Sequence, residues 1–328
     1  MKYGLILTSP DIRGQMETAR AADEAGFESV WTTEFFNQHG LVRLAAVATA
    51  TSRVKVGTAI AYAFMRTPML AASGAMDIDE LSGGRVILGL GTGTKTMNEN
   101  WYSMAFDDPP APRVKDAIGL VRAAFKAQSG GGLKYEGKYY SVNIPQYQRR
   151  GAPREDIPVY LAAVNHGMIR AAAAVADGLV AHPVFTRQYM TDTVQPILAG
   201  SNCRLLPYII TAIHDDPAVA RNEARGQIAF YYTTRLYHSI LAGSGFEQVA
   251  DEVATAFKQG DFAKMMTLVP DDMVDAIALT GTADEVRAKI GQWEHLADHV
   301  ALYSPSIGLS PERMAENQAQ IIKTFGEY

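Results

Sequence analysis

Short apolar runs alternate with longer amphipathic segments along most of the chain. The short runs are apolar at nearly every position, which is typical of parallel strands that are covered on both faces. The longer segments carry apolar residues at helical spacing. The predicted strands are Tyr3–Thr8, Ser29–Thr33, Val54–Tyr62, Arg85–Leu90, Ile157–Ala163, Gly178–His182, Arg204–Ile213 and His299–Tyr303. Eight strands that alternate with helices predict an α/β fold, a (β/α)8 (TIM) barrel, and leave an open doubly wound sheet as the alternative.

Two interruptions break this alternation. Residues 129–156 begin with a glycine-rich turn, continue as a β-hairpin centred on Glu136-Gly137 and end in a surface loop over Asn143–Asp156. The segment Ala218–Val269 has helical periodicity throughout, so it predicts a helical insertion between strands 7 and 8. Because a (β/α)8 barrel of this length commonly forms one domain, we expect a single domain over residues 1–328.

Composition narrows the range of partners and compartments. The chain has 48% apolar residues and a net charge of −5, without a long run of like charges. This balance disfavours nucleic acid and anionic membrane surfaces as partners. The single cysteine, Cys203, excludes a disulfide framework within the chain and fits a reducing compartment. The apolar start is too short for a signal peptide, and no stretch approaches the roughly 20 apolar residues of a membrane span. These features predict a cytoplasmic protein.

Polar and aromatic residues follow the predicted strands at the end where a (β/α)8 barrel carries its site. The carboxylates and histidines among them are isolated and lack metal-ligand spacing, so no metal site is predicted. The chain also lacks a nucleophile elbow, a P-loop and a complete dinucleotide fingerprint. The strand-end candidates are Thr8, Ser9, Glu34–Asn37, Ala61–Phe64, Gly91–Asn98, Val164–His166, His182, His214, Tyr303 and Ser304.

The segment Leu81–Gly93 (LSGGRVILGLGTG) is the most informative motif of the chain. Paired glycines end the preceding helix, an apolar strand follows, and a Gly-Thr-Gly turn opens at the C-terminal end of that strand. Backbone with so little side-chain bulk lets a ring or a phosphate lie close. For these residues alone, an ordinary connection between a helix and a strand remains the alternative.

The longer segment Arg66–Gly93 (RTPMLAASGAMDIDELSGGRVILGLGTG) resembles the hallmark segment of the bacterial luciferase-like superfamily. That superfamily comprises flavin-dependent monooxygenases and coenzyme F420-dependent oxidoreductases. With weaker matches before and after the segment, the resemblance covers most of the chain. The combination of AIAYAFMRTPMLAA, LSGGRVILGLGTG and PVYLAAVNHGM is similar to the F420-dependent branch. It implies an enzyme that transfers a hydride between coenzyme F420 and a small organic substrate.

Two alternatives stay open beside this function. One is an FMN-dependent two-component monooxygenase that uses reduced flavin and oxygen, for which an aromatic and dry pocket would be suitable. The other is a barrel that binds a cofactor without catalysing a reaction. Members of the superfamily commonly pair through helices, so the resemblance also implies a homodimer.

The resemblance places the cofactor on three segments. It implies a bulge with a cis peptide bond at Ala59-Ile60 that supports the central ring, where an ordinary trans strand is the alternative. It implies that Gly91, Thr92 and Asn98 line the deazaflavin. Backbone N–H groups at Val164, Asn165 and His166, where a strand leads into a helix, would bind the cofactor phosphate. This chain departs there from the Gly-Gly or Gly-Pro of its relatives.

This chain departs from the resemblance at the catalytic residues. F420-dependent relatives commonly carry an Asp-His pair after strand two, whereas this chain has Glu34-Phe35. A buried carboxyl such as Glu34 can act as a proton donor near neutral pH, or it can merely accept hydrogen bonds. His39 is a second candidate if its loop folds inward.

Overall fold

A computed structural model describes residues 1–150 and 154–327. The strands are β1 (Lys2–Ile6), β2 (Ser29–Thr33), β3 (Lys55–Tyr62), β4 (Val86–Gly91), β5 (Leu133–Glu136), β6 (Ser141–Ile144), β7 (Val159–Ala162), β8 (Gly178–Val180), β9 (Arg204–Leu206), β10 (Tyr208–Ile213), β11 (Leu279–Gly281) and β12 (His299–Tyr303). The α-helices are α1 (Ile12–Glu24), α2 (Gly40–Ala50), α3 (Pro68–Ser82), α4 (Pro110–Ala127), α5 (His166–Val175), α6 (Arg187–Tyr189), α7 (Gln195–Leu198), α8 (Pro217–Tyr232), α9 (Glu247–Lys258), α10 (Phe262–Leu268), α11 (Asp271–Ile277), α12 (Ala283–Lys289) and α13 (Pro311–Phe325). Single turns of π-helix cover Met97–Trp101 and Met190–Val194, and 3₁₀-helices cover Arg235–Leu241 and Ile290–Trp293.

The chain divides into two compact units. The first comprises Met1–Glu28, Ala181–Ala199 and Leu205–Tyr328, and its strands lie in the order β11-β10-β12-β1 with parallel pairing throughout. The second comprises Ser29–Val180 and Gly200–Arg204, and its parallel strands lie in the order β2-β3-β4-β7-β8. Each unit is therefore of the α/β class, as the hydrophobic pattern predicts.

Helix ends of both units carry the residues that cap helices. The hydroxyl of Thr67 accepts a hydrogen bond from Leu70 N at the start of α3, and Gly83 ends that helix at a φ of 69°. The predicted capping box at α12 is confirmed, because Thr282 and Glu285 each accept a hydrogen bond from the other's backbone N–H, at 3.3 and 2.8 Å. Local sequence thus determines where these helices begin and end.

Two charged residues of the motif hold the second unit together. Arg85 donates five hydrogen bonds of 2.6–3.0 Å from its guanidinium, to Ser82, Val54, Ala48 and both oxygens of Thr51. These bonds tie the end of α2 to the start of β3.

The carboxylate of Asp79 has no exposed surface. It accepts hydrogen bonds from Val86 N at 3.1 Å and from the Arg154 guanidinium at 2.6 and 3.2 Å. Arg154 also donates to Val86 O at 2.8 Å, so this pair fixes the beginning of β4. Both Asp79 and Arg85 therefore serve the folding of the segment that identifies the family.

Regular elements occupy both interruptions of the pattern, although Asn143 and Ile144 of the predicted loop belong to β6 and the helical segment as an insertion between strands 7 and 8 stays a prediction. Strands β5 and β6 form the predicted antiparallel hairpin, with its turn over residues 137–140 rather than centred on Glu136-Gly137. Residues 151–153 of the predicted loop lie outside the described residues. The described chain between β10 and β11 is helical from α8 to α11, in agreement with the helical periodicity.

Two differences from the predicted strands have physical causes. The predicted strand Arg204–Ile213 is divided into β9 and β10 at Pro207, because proline has no N–H to donate to a neighbouring strand. Strand β11 was not predicted, because its three residues are too few to show a period. Among the described residues, no helix has both the length and the apolar character needed to cross a membrane. Closure of the strands into a barrel and the single domain stay predictions.

Candidate functional site

A bulge interrupts β3 in the second unit. Thr58 pairs with Thr32 of β2, and the next pair joins Ile60 to Thr33, so Ala59 is the extra residue. On the other side, pairing with β4 stops at Gly57 and resumes at Ala61. The predicted bulge at Ala59-Ile60 is therefore present.

The side chain of Thr58 closes the gap that the bulge leaves in the ladder. Its hydroxyl donates to Gly89 O at 2.7 Å and accepts from Gly89 N at 2.9 Å. The hydroxyl thus replaces backbone partners, and the extra residue is accommodated with trans geometry. All peptide bonds of the described residues are trans, so the predicted cis peptide bond at Ala59-Ile60 is wrong.

Three neighbouring strands present a small apolar surface at their C-terminal ends, which we call the platform: Ile60 of β3, Gly91 of β4 and Ala162 of β7. A Cβ atom added to Gly91 would lie 2.6 Å from Ile60 Cδ1 and 3.3 Å from Ala162 Cβ. Ile60 and Ala162 keep accessible surface, although the residues beside them in the strands are buried. The platform can therefore receive the face of a flat ring.

The turn after β4 is shaped by Asn98. The Asn98 amide donates to Thr92 O at 2.8 Å and to Thr94 O at 2.9 Å, and the residue has no exposed surface. Gly93 lies in the left-handed region at a φ of 65°. Thr92 and Gly93 remain half-buried. Asn98 thus positions this turn, and its Oδ1 atom has no hydrogen-bond partner within the described residues.

A second polar atom without a partner lies nearby. The hydroxyl of Tyr102 is buried and makes no hydrogen bond to any described residue, while its ring packs on Tyr62 at 5.7 Å between centroids. Burial raises the pKa of Tyr102, the charge of Glu34 raises it further, and Arg66 opposes them. An unpaired buried hydroxyl costs about 1–3 kcal/mol, so this atom points to a missing polar partner.

Glu34 occupies the predicted strand end and is fully engaged. Its carboxylate accepts a hydrogen bond from Tyr62 N at 2.6 Å and one from Gly40 N at 3.4 Å. It also forms an ion pair with the Arg66 guanidinium, whose other nitrogen donates to Tyr62 O at 3.1 Å. This geometry agrees with the alternative in which Glu34 accepts hydrogen bonds. Its role as a proton donor stays a prediction.

His39 lies close to Glu34 but on the exposed side of its loop, and its role as a second catalytic candidate stays a prediction. Its Nδ1 atom is 3.9 Å from Glu34 Oε1 and accepts a hydrogen bond from Val42 N at 3.3 Å. His39 is therefore the N-cap of α2. Its imidazole is 53% exposed, so it is open to ligands and to water.

The predicted phosphate site lies at the start of α5. Asn165 is the N-cap, and its Oδ1 accepts a hydrogen bond from Met168 N at 3.0 Å. Val164 is half-buried and His166 is exposed. The first N–H groups of a helix have no backbone partner within it, so those other than Met168 N, which Asn165 caps, are the ones that could meet an anion here. The structure brings these residues to the expected place, and phosphate binding stays a prediction.

An aromatic group borders the strand ends of the second unit. Phe35 packs on Phe36 at 4.5 Å and on Trp101 at 5.1 Å between centroids. Phe36 is 61% exposed and Trp101 is 44% exposed, so both are only partly covered by protein. Arg66, Tyr102 and Thr58 were not predicted as site residues, because a sequence pattern gives no sign of which hydroxyl or guanidinium finds a partner.

The first unit contains a separate group of polar aromatic residues, which we call the tyrosine cluster: His182, Tyr208, Tyr231, Tyr237 and Tyr303. The His182 ring lies 4.1 Å from that of Tyr237 and 4.9 Å from that of Tyr231. The Tyr231 hydroxyl donates to the Tyr303 hydroxyl at 3.4 Å, and the Tyr208 and Tyr303 rings are 5.0 Å apart. The predicted strand-end residues His182 and Tyr303 thus meet residues of α8 and of the following 3₁₀-helix.

The remaining strand-end candidates of the first unit are engaged in local structure. Ser304 is buried and accepts a hydrogen bond from Asn317 at 2.9 Å. His214 accepts one from Asp216 N at 2.9 Å. Ser9 donates to Gln318 at 3.3 Å, whereas the Thr8 hydroxyl is buried and has no partner among the described residues.

Burial keeps the tyrosine cluster uncharged. It lowers the pKa of His182 to about 3 and raises the pKa of Tyr237 to about 12. The pKa values of Tyr208 and Tyr231 lie well above their ordinary value, first because of burial and then because of neighbouring tyrosines. No Asp, Glu, Lys or Arg of the described residues shifts the pKa of any of the five side chains.

The low pKa of His182 predicts an acid-sensitive stability. The unfolded chain binds a proton at this residue below about pH 6.5, whereas the folded chain resists protonation down to about pH 3. Above pH 6.5 the protonation of His182 therefore leaves the free energy of unfolding unchanged. Below pH 6.5 that free energy decreases by up to about 1.4 kcal/mol for each pH unit. Urea unfolding of the native chain and of His182→Phe at pH 7, 6 and 5 should show a steeper loss for the native chain. Equal slopes would contradict this assignment.

Comparison with known proteins identifies the family. The family model described as luciferase-like monooxygenase matches residues 3–299. A protein of Mycobacterium tuberculosis (strain ATCC 25618 / H37Rv), named for coenzyme F420-dependent oxidoreductase activity, is 29% identical over 327 residues, covering 90% of this chain and 92% of the relative.

Two solved structures share the fold. The coenzyme F420 dependent tetrahydromethanopterin reductase from Methanopyrus kandleri has a TM-score of 0.79 at 23% identity, with 99% of each chain covered. The oxygenating constituent of 3,6-diketocamphane monooxygenase from Pseudomonas putida, in complex with FMN, has a TM-score of 0.66 at 16% identity, covering 99% of this chain and 98% of that one. This chain belongs to the luciferase-like monooxygenase family, and it is an enzyme.

Proposed function

We propose that this enzyme transfers a hydride between coenzyme F420 and a small organic substrate. The observation that carries the proposal is the platform, with the unpaired Tyr102 hydroxyl in the same unit. The F420-dependent names of a relative and of a solved structure support it. A non-catalytic barrel is not retained, because the family is one of enzymes.

The residues present fit a flat heterocyclic cofactor. A Cβ atom at Gly91 would overlap the side chain of Ile60, so glycine is needed for Ile60 to lie across the end of β4 beside Ala162. Backbone of Thr92 and Gly93, held by Asn98, would border the ring, and the Tyr102 hydroxyl would gain a polar partner after a small movement. The start of α5, at Val164, Asn165 and His166, would hold the phosphate.

The protein's part in the reaction is orientation and the exclusion of water. Coenzyme F420, when bound, supplies a donor or acceptor of hydride. Reduction of a carbonyl group also needs one proton at the oxygen, and we propose Glu34 or His39 as the group that moves it. His39 is the more accessible of the two, since Glu34 is engaged by Arg66 and by two backbone N–H groups.

An FMN-dependent two-component monooxygenase is the second candidate. The structural likeness to an FMN complex favours it, and so do the partly covered Phe36 and Trp101, which could exclude water from reduced flavin. For either cofactor we propose a (β/α)8 domain over residues 1–328 with the helical insertion after strand 7. A homodimer and a cytoplasmic location are parts of the same proposal.

Titration of the purified chain with F420 and with FMN, in both redox states, tests the choice of cofactor. We expect F420 to bind with a micromolar or lower Kd and FMN at least about tenfold more weakly. Tyr102→Phe should weaken F420 binding about fivefold, because one hydrogen bond is worth about 1 kcal/mol. Tyr139→Phe, in the hairpin, is the matched control. Tighter binding of FMN would contradict the proposal and favour the monooxygenase.

A further inference from the structure

A segment that follows β4 crosses the C-terminal ends of three strands in the second unit. It comprises residues 92–105, which we call the strap, and it begins beside the platform. Its Tyr102 ring lies 5.7 Å from the Tyr62 ring at the end of β3. Its Trp101 ring lies 5.1 Å from the Phe35 ring, which follows β2. Because β2, β3 and β4 are neighbours in the sheet, the strap lies at the edge that carries the platform.

Hydrogen bonds hold the strap together internally and attach it only weakly to its surroundings. The backbone carbonyl of Asn98 accepts a hydrogen bond from Met104 N at 2.8 Å, while the side-chain amide of Asn98 holds the turn after β4. Between the strap and the rest of the described chain there is one hydrogen bond, from the Arg113 guanidinium to Ala105 O at 3.5 Å. The strap can therefore move as a body without breaking a hydrogen bond to any strand.

The backbone of the strap is strained at one residue and irregular just before it. Ser103 has a φ of 55°, and no other residue except glycine has a positive φ within the part of the chain that the structure describes. This region is costly for a residue with a Cβ atom. Met97–Trp101 forms a single turn of π-helix, a rare element that is frequently found at functional sites. Strain of this kind persists at ligand clamps and switches, where its release is part of the mechanism.

The side chains of the strap are distributed in the opposite way to those of a packed segment. Asn98 Oδ1 and the Tyr102 hydroxyl are buried and have no hydrogen-bond partner among the described residues. Trp101 and Met104, by contrast, are 44% and 37% exposed. A packed segment pairs its buried polar atoms and covers its large apolar side chains. The two unpaired atoms and the two open side chains are therefore as expected of a segment that has not yet closed on a ligand.

We propose that the strap is a lid with an open and a closed conformation, and that it closes over a ligand on the platform. On closure Ser103 leaves the left-handed region, and Trp101 and Met104 become covered. Asn98 Oδ1 and the Tyr102 hydroxyl then meet polar atoms of the ligand. A ligand shifts such an equilibrium only through contacts that it gains in one conformation, and these side chains supply them. Closure also excludes water from the site. The identity of the ligand, a flat cofactor, rests on the proposed function.

Two substitutions of Ser103 should shift this equilibrium in opposite directions. The Ser103 side chain is exposed and makes no hydrogen bond to a described residue, so a substitution mainly changes the backbone preference. Glycine takes a positive φ without cost and favours the open strap, whereas a β-branched residue resists it and favours the closed strap. Ser103→Val should therefore bind F420 roughly three- to tenfold more tightly than Ser103→Gly, with the native chain between them. Ser141→Val and Ser141→Gly, at an exposed serine of β6, are the matched control pair and should have equal affinities.

Acrylamide quenching of tryptophan fluorescence follows the strap without any ligand. Trp31 and Trp293 are 0% and 1% exposed, so the quenching comes from Trp101, and Trp101→Phe measures what remains from the other two. We expect the quenching constant of Ser103→Val to be at least about twofold lower than that of Ser103→Gly. Thermal unfolding checks that each variant is folded. Should Ser103→Val fail to fold, stronger quenching in Ser103→Gly than in the native chain carries the same test.

The outcomes distinguish closure of the strap from the proposed cofactor. Equal quenching in the two Ser103 variants would overturn the closure even where F420 binds, and equal affinity of both variants for F420 would overturn its coupling to the ligand. Weaker quenching in Ser103→Val would support the closure even where F420 fails to bind, and only the proposed cofactor would then be wrong.

Discussion

Replacing Gly89 by alanine should destabilise the second unit by about 3 kcal/mol or more, the upper range for an added methyl group in a packed core. A Cβ atom there would lie 1.7 Å from Thr58 O and 2.9 Å from Thr58 C. Both are backbone atoms of the bulge, so no side-chain rotation relieves the overlap. The shift needed would also break the two bonds between the Thr58 hydroxyl and Gly89.

Urea unfolding of the native chain and of Gly89→Ala measures this loss. Gly291→Ala is the matched control, since no atom lies within 4 Å of its added Cβ and its stability should be nearly that of the native chain. A Gly89→Ala variant as stable as the control would mean that the bulge is not fixed as described.

Removing the cation beside Glu34 has the second large expected effect. Arg66→Met should cost about 3–5 kcal/mol of stability, because it leaves an uncompensated carboxylate in a buried site. The side chains of Arg66 and Glu34 are only 11% and 5% exposed. Glu34 accepts a hydrogen bond from Tyr62 N, and Arg66 donates one to Tyr62 O. The loss should fall largely on the segment between β2 and α3.

The double variant Glu34→Gln/Arg66→Met separates the charge from the packing. It should regain a large part of the stability lost by Arg66→Met alone, because the buried charge is gone. Lys134→Met removes a cation whose pair with Glu136 is exposed on both sides, so its effect should be small. Unfolding midpoints of the four chains suffice, and a double variant less stable than Arg66→Met would contradict the interpretation.

The period of the hydrophobic residues predicted the elements well, because burial on two faces or on one stripe is a property of a local segment. It could not predict the division of the seventh strand at Pro207 or the three-residue β11. The bulge at Ala59-Ile60 came from the resemblance alone. The resemblance also implied a cis peptide bond at the bulge, which was wrong. The Thr58 hydroxyl, which bridges the bulge in its trans form, has no signature in the sequence.

In the candidate site, too, residues with a local sequence signal were predicted, whereas contacts between distant residues were not. Ile60 and Gly91 were predicted and lie on the platform, whereas Ala162 was not, because an alanine in an apolar strand gives no sign of which residues lie beside it. His39 Nδ1 lies 3.9 Å from Glu34 Oε1, although the imidazole is exposed. The engagement of Glu34 by Arg66 depends on residues 32 positions apart, and the meeting of His182 with Tyr231 depends on residues 49 apart. Such pairings arise from packing, which a local pattern does not encode.

The bonds of Asp79 and Arg85 have a consequence for the platform that follows them in the chain. Within the second unit, Arg85 donates to the backbone at Val54 and Asp79 accepts from the backbone at Val86. Gly89, which has no side chain, lets its backbone approach Thr58 closely enough to hydrogen-bond to it. These residues of the motif therefore hold the backbone, and the same short stretch of sequence ends in Gly91, Thr92 and Gly93, on and beside the platform. A substitution that loosens the folding residues would thus displace the platform as well, although it touches none of the platform's atoms.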